Sequence, residues 1–287
     1  MKKIILTGSN GMLGKALKKK LSNSFELKSF SKNELDITDF AAVEKILAEM
    51  KPDFVVNAAA FTKVDAAETE RVLAEKVNAD AVGNLAQICK KIGTKLIHFS
   101  TDYVFNGKSE TGFSEDAEPN PINFYGETKL AGEQKIKKSG CDFAIIRTSW
   151  LFGEGENFVR TMLRLARDQT EIKVVSDQVG SPTFTKDLAE AVEKILIENQ
   201  NGIFHLTNSG KTSWADFARK IFEIAKLPTK VIDIPTAEFP TPAKRPQNSV
   251  LLNSKLSKLR RWEEGLEEYL FKKGKGLVYK RVTCRFF

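Results

Sequence analysis

Cysteine and histidine are both scarce in this chain. Of 287 residues, three are cysteine and two are histidine. Cys89, Cys141 and Cys284 form an odd set without metal-ligand spacing, and His98 and His205 are too few to complete a zinc site with them. Neither a disulfide framework nor structural zinc is expected. Also missing is any run of eighteen or so apolar residues, which excludes a membrane-spanning helix. The N-terminus begins Met1-Lys2-Lys3 but carries only four apolar residues before Gly8, too few for a secretory leader, so a cytoplasmic location is expected. No internal repeat or low-complexity tract occurs. The 41% hydrophobic and 29% charged content is that of a chain able to bury a real core in one large or two moderate domains.

Acid is in shorter supply than base: 37 Asp and Glu against 45 Lys and Arg, a net charge of +8. Most of that surplus sits in one place. Residues 255 to 287 hold ten Lys or Arg against four Glu, so the excess is a property of the C-terminal end. No aromatic-interleaved basic patch or nucleic-acid module accompanies it. A solvated face is the expected reading, with neither nucleic acid nor membrane as partner, although a basic pocket for an anionic small molecule remains compatible.

What is abundant is the signature of a phosphate cradle at Lys2 to Leu21. The apolar run Ile4-Ile5-Leu6 leads at once into Gly8, Gly11 and Gly14 and then an amphipathic stretch, which reads as strand, tight turn, helix. Gly8 can take the turn, Gly11 lets backbone approach a pyrophosphate, and Gly14 lets the helix lie close to the strand with its free N–H groups toward the anion. The spacing is G-x-x-G-x-x-G, and its place near the N-terminus, where the first strand of a doubly wound sheet belongs, favours a ligand site over a plain βα turn.

Further strand-like runs fall at residues 25–30, 54–57, 95–100, 143–150 and 172–176, with helical patterns at 38–50, 64–92, 124–138 and 157–168. Alternation of this kind predicts an α/β fold: a doubly wound parallel (Rossmann) sheet covered on both faces. Beyond Trp150 the pattern loosens. Helices are expected at 186–198 and 213–226, the latter capped by Ser213 with Asp216, and five prolines between Leu227 and Gln247 exclude a central strand or long helix there. The expected organisation is a dinucleotide-binding domain over 1–150, drawing in part on 170–200, and a smaller α/β substrate domain mainly over 151–287.

Two polar stretches carry candidate chemistry. Ser100-Thr101-Asp102 follows the fourth run, where a doubly wound sheet opens its cleft, although Ser and Thr also end strands for local reasons. Tyr125 and Lys129 stand four apart at a helix start, hence on one face, although such a pair also decorates solvated helices. A phenol has a pKa near 10, and a nearby ammonium favours the phenolate.

Taken together, Gly8-x-x-Gly11-x-x-Gly14, Asn57-Ala58-Ala59-Ala60, Ser100-Thr101-Asp102 and Tyr125-x-x-x-Lys129 resemble the extended short-chain dehydrogenase/reductase family. Residues 57–65 and 100–105, with Arg147-Thr148-Ser149-Trp150 and Lys244-Arg245-Pro246, resemble within it the dTDP-4-dehydrorhamnose reductase group, over roughly residues 1 to 270. The resemblance implies reduction of the C4 ketone of a nucleotide sugar, with Thr101, Tyr125 and Lys129 as the catalytic three. Tyr125 would give the proton, Thr101 would bind the reacting oxygen, and Lys129 would hold the ribose hydroxyls and lower the phenol pKa. It puts Gly8, Gly11, Met12, Leu13 and Gly14 at the cofactor pyrophosphate, Asp36 and Ile37 at the adenine, and Ala60, Phe61, Thr62 and Phe99 along the rest of the cofactor. Asp102 and Trp150 would hold the sugar, Lys244 and Arg245 the nucleotide phosphates.

The second strand ends Phe30-Ser31-Lys32, with no acid for an NAD ribose, which favours NADPH while NADH stays admissible. Some members of the group bind Mg²⁺ at a dimer contact, but no ligand here is assigned to it, and the chain is expected to be a monomer or homodimer. A dehydratase or epimerase on the same fold is the competing enzyme, disfavoured because Tyr103, not Glu, follows Asp102. A non-catalytic module like the regulatory subunit of methionine adenosyltransferase is the competing non-enzyme, and it has no use for a tuned phenol.

Overall fold

Ile4, Ile5 and Leu6 are all buried in the first strand, β1 (Lys3–Thr7). Successive side chains leave a strand on opposite faces. Ile4 and Leu6 therefore enter one core while Ile5 enters the other. The same division recurs in β3 (Phe54–Asn57), β4 (Lys95–Thr101) and β5 (Phe143–Thr148), where Val56, Ile97 and Ile146 face one way and Val55, Leu96 and Ile145 the other. Strands buried on both faces have no polar alternation to lose, which is why they read as continuous apolar runs.

This computed structural model describes residues 1–271. The basic end beyond Phe271, and Cys284 with it, lies outside the described residues. In chain order, β1 is followed by α1 (Met12–Leu21), β2 (Glu26–Phe30), α2 (Phe40–Met50), β3, α3 (Arg71–Glu75), α4 (Ala81–Ile92), β4, α5 (Phe124–Ser139) and β5. Then come β6 (Leu151–Phe152), α6 (Phe158–Leu165), β7 (Glu171–Val175), β8 (Val179–Gly180), β9 (Thr183–Phe184), α7 (Thr185–Ile197) and β10 (Gly202–His205). The last are β11 (Thr212–Ser213), α8 (Trp214–Ala225), β12 (Lys230–Ile234) and α9 (Trp262–Phe271). Among the described residues no helix is long and apolar enough to cross a membrane.

Six strands form one sheet in the order β10-β5-β4-β3-β1-β2, and every pairing in it is parallel. Helices α1 and α7 cover one face, and α2, α4 and α5 the other. The fold is thus the expected α/β, doubly wound parallel sheet. A third core gathers Phe152, Leu163, Phe184, Phe217, Trp262 and Leu266 from the second half of the chain.

Three elements differ from the expectation. The run at 172–176 is a strand, but β7 pairs with β12 in a separate two-stranded sheet. The sixth strand of the large sheet is instead β10, too short to stand out in the pattern. The helix expected at 64–92 is broken into a 3-10 turn at Ala66–Glu68, α3, a π-turn at Lys76–Asp80 and α4. The π-turn holds Asn78, whose side chain accepts from Phe61 N–H at 2.9 Å and donates to Phe61 C=O at 3.0 Å and Thr128 Oγ1 at 3.1 Å. A side chain that pairs with a passing backbone pulls its own turn out of the regular ladder.

Candidate active site

Strand order reverses direction between β1 and β3, so the crevice of this sheet opens outside their carboxyl ends. A cleft of about 650 Å³ lies there. Its floor is the glycine turn. Gly8 has φ +69°, and a Cβ on it would come within 2.5 Å of Ala59 N. A Cβ on Gly14 would sit 2.1 Å from Gly8 O, so only glycine lets α1 start this close to β1. Gly11, the N-cap of α1, offers no side-chain cap, leaving the first amides of the helix to an incoming ligand. This cradle, lined also by Met12 and Leu13, fits a pyrophosphate.

Farther along the same cleft come Asp36, Ile37, Ala60, Phe61, Thr62 and Phe99. Asp36 is ordered by Thr38, whose N–H and hydroxyl both donate to its Oδ1 at 2.9 Å. Ser31 donates through both N–H and Oγ to Glu34 Oε2 at 2.7 Å, which holds the Glu34 carboxyl below its ordinary value. An acid therefore does stand beside the end of β2, although Lys32 lies exposed at the rim.

The groups expected to react converge at the end of β4. Thr101 is the last residue of that strand, and its hydroxyl donates to Asp102 Oδ1 at 2.9 Å. Asn123 caps α5 by accepting from Gly126 N–H at 2.8 Å. A Cβ on Gly126 would lie 2.1 Å from Tyr103 O, so the first turn of α5 rests directly on the 3-10 turn Asp102–Val104. That contact presents Tyr125, edge-on to Tyr103 at 6.0 Å between ring centroids, to the cleft.

Lys129 shares the cleft but is not turned to the phenol. Its Nζ donates to Phe99 C=O at 2.6 Å and lies 3.2 Å from His98 Nε2. Burial lowers its pKa to about 8, with Glu133 opposing. Burial also pushes the Tyr125 phenol above its ordinary value, helped by the charge of Asp102 and opposed by the Thr101 hydroxyl. The ammonium effect anticipated from spacing is not among the influences on the phenol, which desolvation dominates. At neutral pH Tyr125 carries its proton, the state a proton donor needs.

Three buried oxygens around this point have no partner: Ser100 Oγ, Asp102 Oδ2 and Thr148 Oγ1. Unpaired polar atoms in a cleft are places for a polar ligand. Trp150 sits among them with φ +47°, an uncommon conformation for an aromatic residue, and stacks on Trp214 at 3.5 Å. Gly180 makes room for that ring, since a Cβ there would approach it to 2.4 Å. Sequence reasoning placed Ser100 at the cleft and quoted Thr148 but gave neither a role, and it missed Trp214. Only the position of Trp214 directly after the Ser213 cap could have marked it as facing the strand ends.

Lys244 and Arg245 do not line the cleft. Arg245 is paired with Asp65 at 2.9 Å and donates to Ala243 C=O, while Lys244 C=O accepts from Asn123. They tie the second half of the chain to the loop after β3 and the start of α5. Among the described residues no cluster of three or more metal-ligating side chains occurs.

Burial raises the pKa of Asp102 from 3.8 to about 6. Ionising it in the folded state therefore costs stability, a penalty absent below pH 3.8 and complete above about 6. Asp102→Asn imitates the protonated carboxyl. It is expected to raise stability at pH 7.5 by on the order of 1–3 kcal/mol while lowering kcat/KM. Urea denaturation at pH 7.5 and pH 4 checks this, and an equal gain at both would sink it.

Residues 1–274 match the family described as RmlD substrate binding domain. Among curated proteins, the chain is 42% identical over 276 residues to the spore coat polysaccharide biosynthesis protein SpsK of Bacillus subtilis, covering 94% of this chain and 97% of that one. It is 38% identical over 288 residues to the dTDP-4-dehydrorhamnose reductase of Escherichia coli, covering 93% and 96%. Among solved structures it resembles dTDP-4-dehydrorhamnose reductase from Bacillus anthracis in complex with NADP, at TM-score 0.92 and 40% identity over 94% of this chain and 99% of that one. UDP-glucose 4-epimerase from Thermus thermophilus, at 19% identity and TM-score 0.78, shares the fold. By a match that spans nearly its whole length, and by the glycine cradle and cleft that go with it, this chain belongs to the RmlD substrate binding domain family.

Proposed function

We propose that the protein reduces the C4 ketone of dTDP-6-deoxy-L-lyxo-4-hexulose to give dTDP-L-rhamnose, with NADPH as reductant. The observation that carries this reading is the meeting of Thr101, Tyr125 and Lys129 in one cleft with the glycine cradle. NADPH, when bound, supplies the hydride that goes to C4. Tyr125, a half-buried phenol that desolvation moves farther above its ordinary value and that keeps its proton at neutral pH, donates that proton to the ketone oxygen, and Thr101 hydrogen-bonds that oxygen. Lys129 is within the cleft to meet ribose hydroxyls. Asp102, with its unpaired Oδ2, and Trp150 take the sugar. Orientation of ketone and cofactor supplies much of the remaining acceleration.

Residues 1–150, with part of 170–200, would hold the cofactor, and the chain after 151 mainly the nucleotide sugar. Lys32 at the rim suits a 2′-phosphate, although Glu34 beside Ser31 leaves NADH usable. The protein would work in the cytoplasm as a monomer or homodimer, on a small nucleotide-sugar substrate. Tyr103 after Asp102 speaks against dehydration.

The test is loss of NADPH absorbance, and separately NADH absorbance, on adding the dTDP-keto-sugar to purified protein. Oxidation that depends on the sugar is expected, faster with NADPH. Cofactor binding without oxidation would overturn this substrate assignment in favour of another keto-sugar or of a regulatory module.

A further inference from the structure

Behind Lys129 runs a chain of buried polar groups with no part in the chemistry above. Thr7 Oγ1 donates to Asn57 Oδ1 at 2.7 Å, and Ala59 N–H donates to the same oxygen at 3.2 Å. A backbone N–H can only donate, so the carboxamide of Asn57 cannot be turned over, and its Nδ2 must be the atom facing His98 Nδ1 at 3.1 Å. Nδ1 then accepts, and a neutral imidazole that accepts at Nδ1 carries its hydrogen on Nε2. His98 is fully buried. Its Nε2–H is aimed at Lys129 Nζ, 3.2 Å away.

An N–H donor facing an ammonium is repulsive, whereas an amine has a lone pair to receive it. We propose that His98 is a positioning residue: held as the Nε2–H tautomer by Thr7, Asn57 and the Ala59 amide, it favours Lys129 as a neutral amine with its lone pair toward the imidazole and one N–H on Phe99 C=O. This rests on Lys129 being a member of the reacting trio. Its consequence is that Lys129 changes charge near neutral pH, so the positive charge beside the cofactor becomes adjustable where an ordinary lysine's is permanent.

The surroundings agree with that assignment. Burial is the main influence lowering the Lys129 pKa, and the charge of Lys129 in turn disfavours protonation of His98. Glu133, on the same helix, is the charge that acts on Lys129 in the other direction, and it is itself locked to Arg147 of β5. The other charged groups on elements packed against α5 face elsewhere: Asp80 pairs with Lys135, Arg71 lies over the Phe124 ring, Glu68 takes Phe124 N–H, and Asp102 accepts from Thr101.

Because the chain has only two histidines, the tautomers can be read directly by nitrogen-15 NMR of the imidazoles. His98 is expected to be protonated on Nε2. His205 is expected to be the opposite, since its Nδ1 lies 3.1 Å from Phe113 C=O and must donate. A carbon-13 titration of lysine Cε should show one midpoint near pH 8, missing in Lys129→Met. Asn57→Asp makes His98 Nδ1 a donor and Nε2 an acceptor, and His98→Gln can turn an oxygen to the ammonium. Either change should raise that midpoint by about one pH unit or more, a tenfold or greater shift in the proton equilibrium. A hydrogen on His98 Nδ1 in the wild-type protein, or a Lys129 midpoint that stays put in the folded variants, would overturn the proposal. None of these readings needs turnover, so failure of the keto-sugar assay would count against the reductase reading alone.

Discussion

Tyr125→Phe is expected to lower kcat by about 10²- to 10⁴-fold, the usual worth of a positioned general acid. NADPH affinity should stay within a few-fold, because the ring remains and only the hydroxyl leaves. Desolvation moves the phenol farther above an ordinary value that already keeps it protonated through the neutral range, which is the state the proposed donor role requires. Tyr103 makes the experiment discriminating. It is a second phenol raised by burial, edge-on to the first at 6.0 Å, and it too faces the cleft. Tyr103→Phe should spare the chemical step and affect KM, since Tyr103 packs under the Tyr125 turn. If single-turnover rates fall with Tyr103→Phe and survive Tyr125→Phe, the acid has been assigned to the wrong ring.

Glu133→Gln is expected to be the most damaging change to stability away from the cleft, by about 3–5 kcal/mol. Arg147 and Glu133 are 1% and 0% exposed and meet through two parallel bonds, Nε to Oε1 at 2.9 Å and Nη2 to Oε2 at 2.7 Å. Removing the carboxylate strands a guanidinium in the interior, where its remaining neighbours are the Phe105 ring at 5.1 Å and a His205 held neutral with its pKa lowered to about 4 by burial and by Arg147 itself. Replacing both partners by apolar residues, as in Glu133→Leu with Arg147→Met, should recover most of the loss, because no charge is left behind. Urea midpoints of the two proteins check both statements. A single variant within 1 kcal/mol of wild type would mean that water reaches Arg147.

The network reaches past the pair. His205 donates through Nδ1 to Phe113 C=O and through its N–H to Glu115, and Glu115 in turn receives Ser254. Two outlying segments, around Phe113 and Ser254, are thus stapled to the end strand of the sheet by polar bonds. None of this was legible in the sequence. His205 and Glu133 lie 58 and 14 residues from the partner they share, Arg147, beyond the reach of any local pattern.

Legibility followed the range of the interactions. The glycine turn, the buried strands and the Ser213 cap are decided within a few neighbouring residues, and each appears in the structure where the pattern put it. The π-turn inside the expected 64–92 helix is tied to a backbone 17 residues back, so periodicity ran straight through it. At the cleft, spacing put Tyr125 and Lys129 on one face but could not say what else was buried there. His98 and the Phe99 carbonyl take Lys129, and desolvation governs the phenol. Of the two residues read as phosphate ligands, Arg245 is paired with Asp65, while Lys244 engages Asn123 through its backbone carbonyl alone.

The stack of Trp150 on Trp214 gives the molecule an optical property. Two indoles 3.5 Å apart and 7° from parallel share their excited states, so their ultraviolet transitions couple and split as those of distant rings do not. The third tryptophan, Trp262, sits in the core of the second half, edge-on to Phe217, and supplies an unperturbed background. Because one indole of the pair lies where the chain leaves the large sheet and the other opens α8, any relative movement of those two points would detune the pair. The protein therefore carries its own chromophore for the alignment of its two halves, readable by circular dichroism without a label.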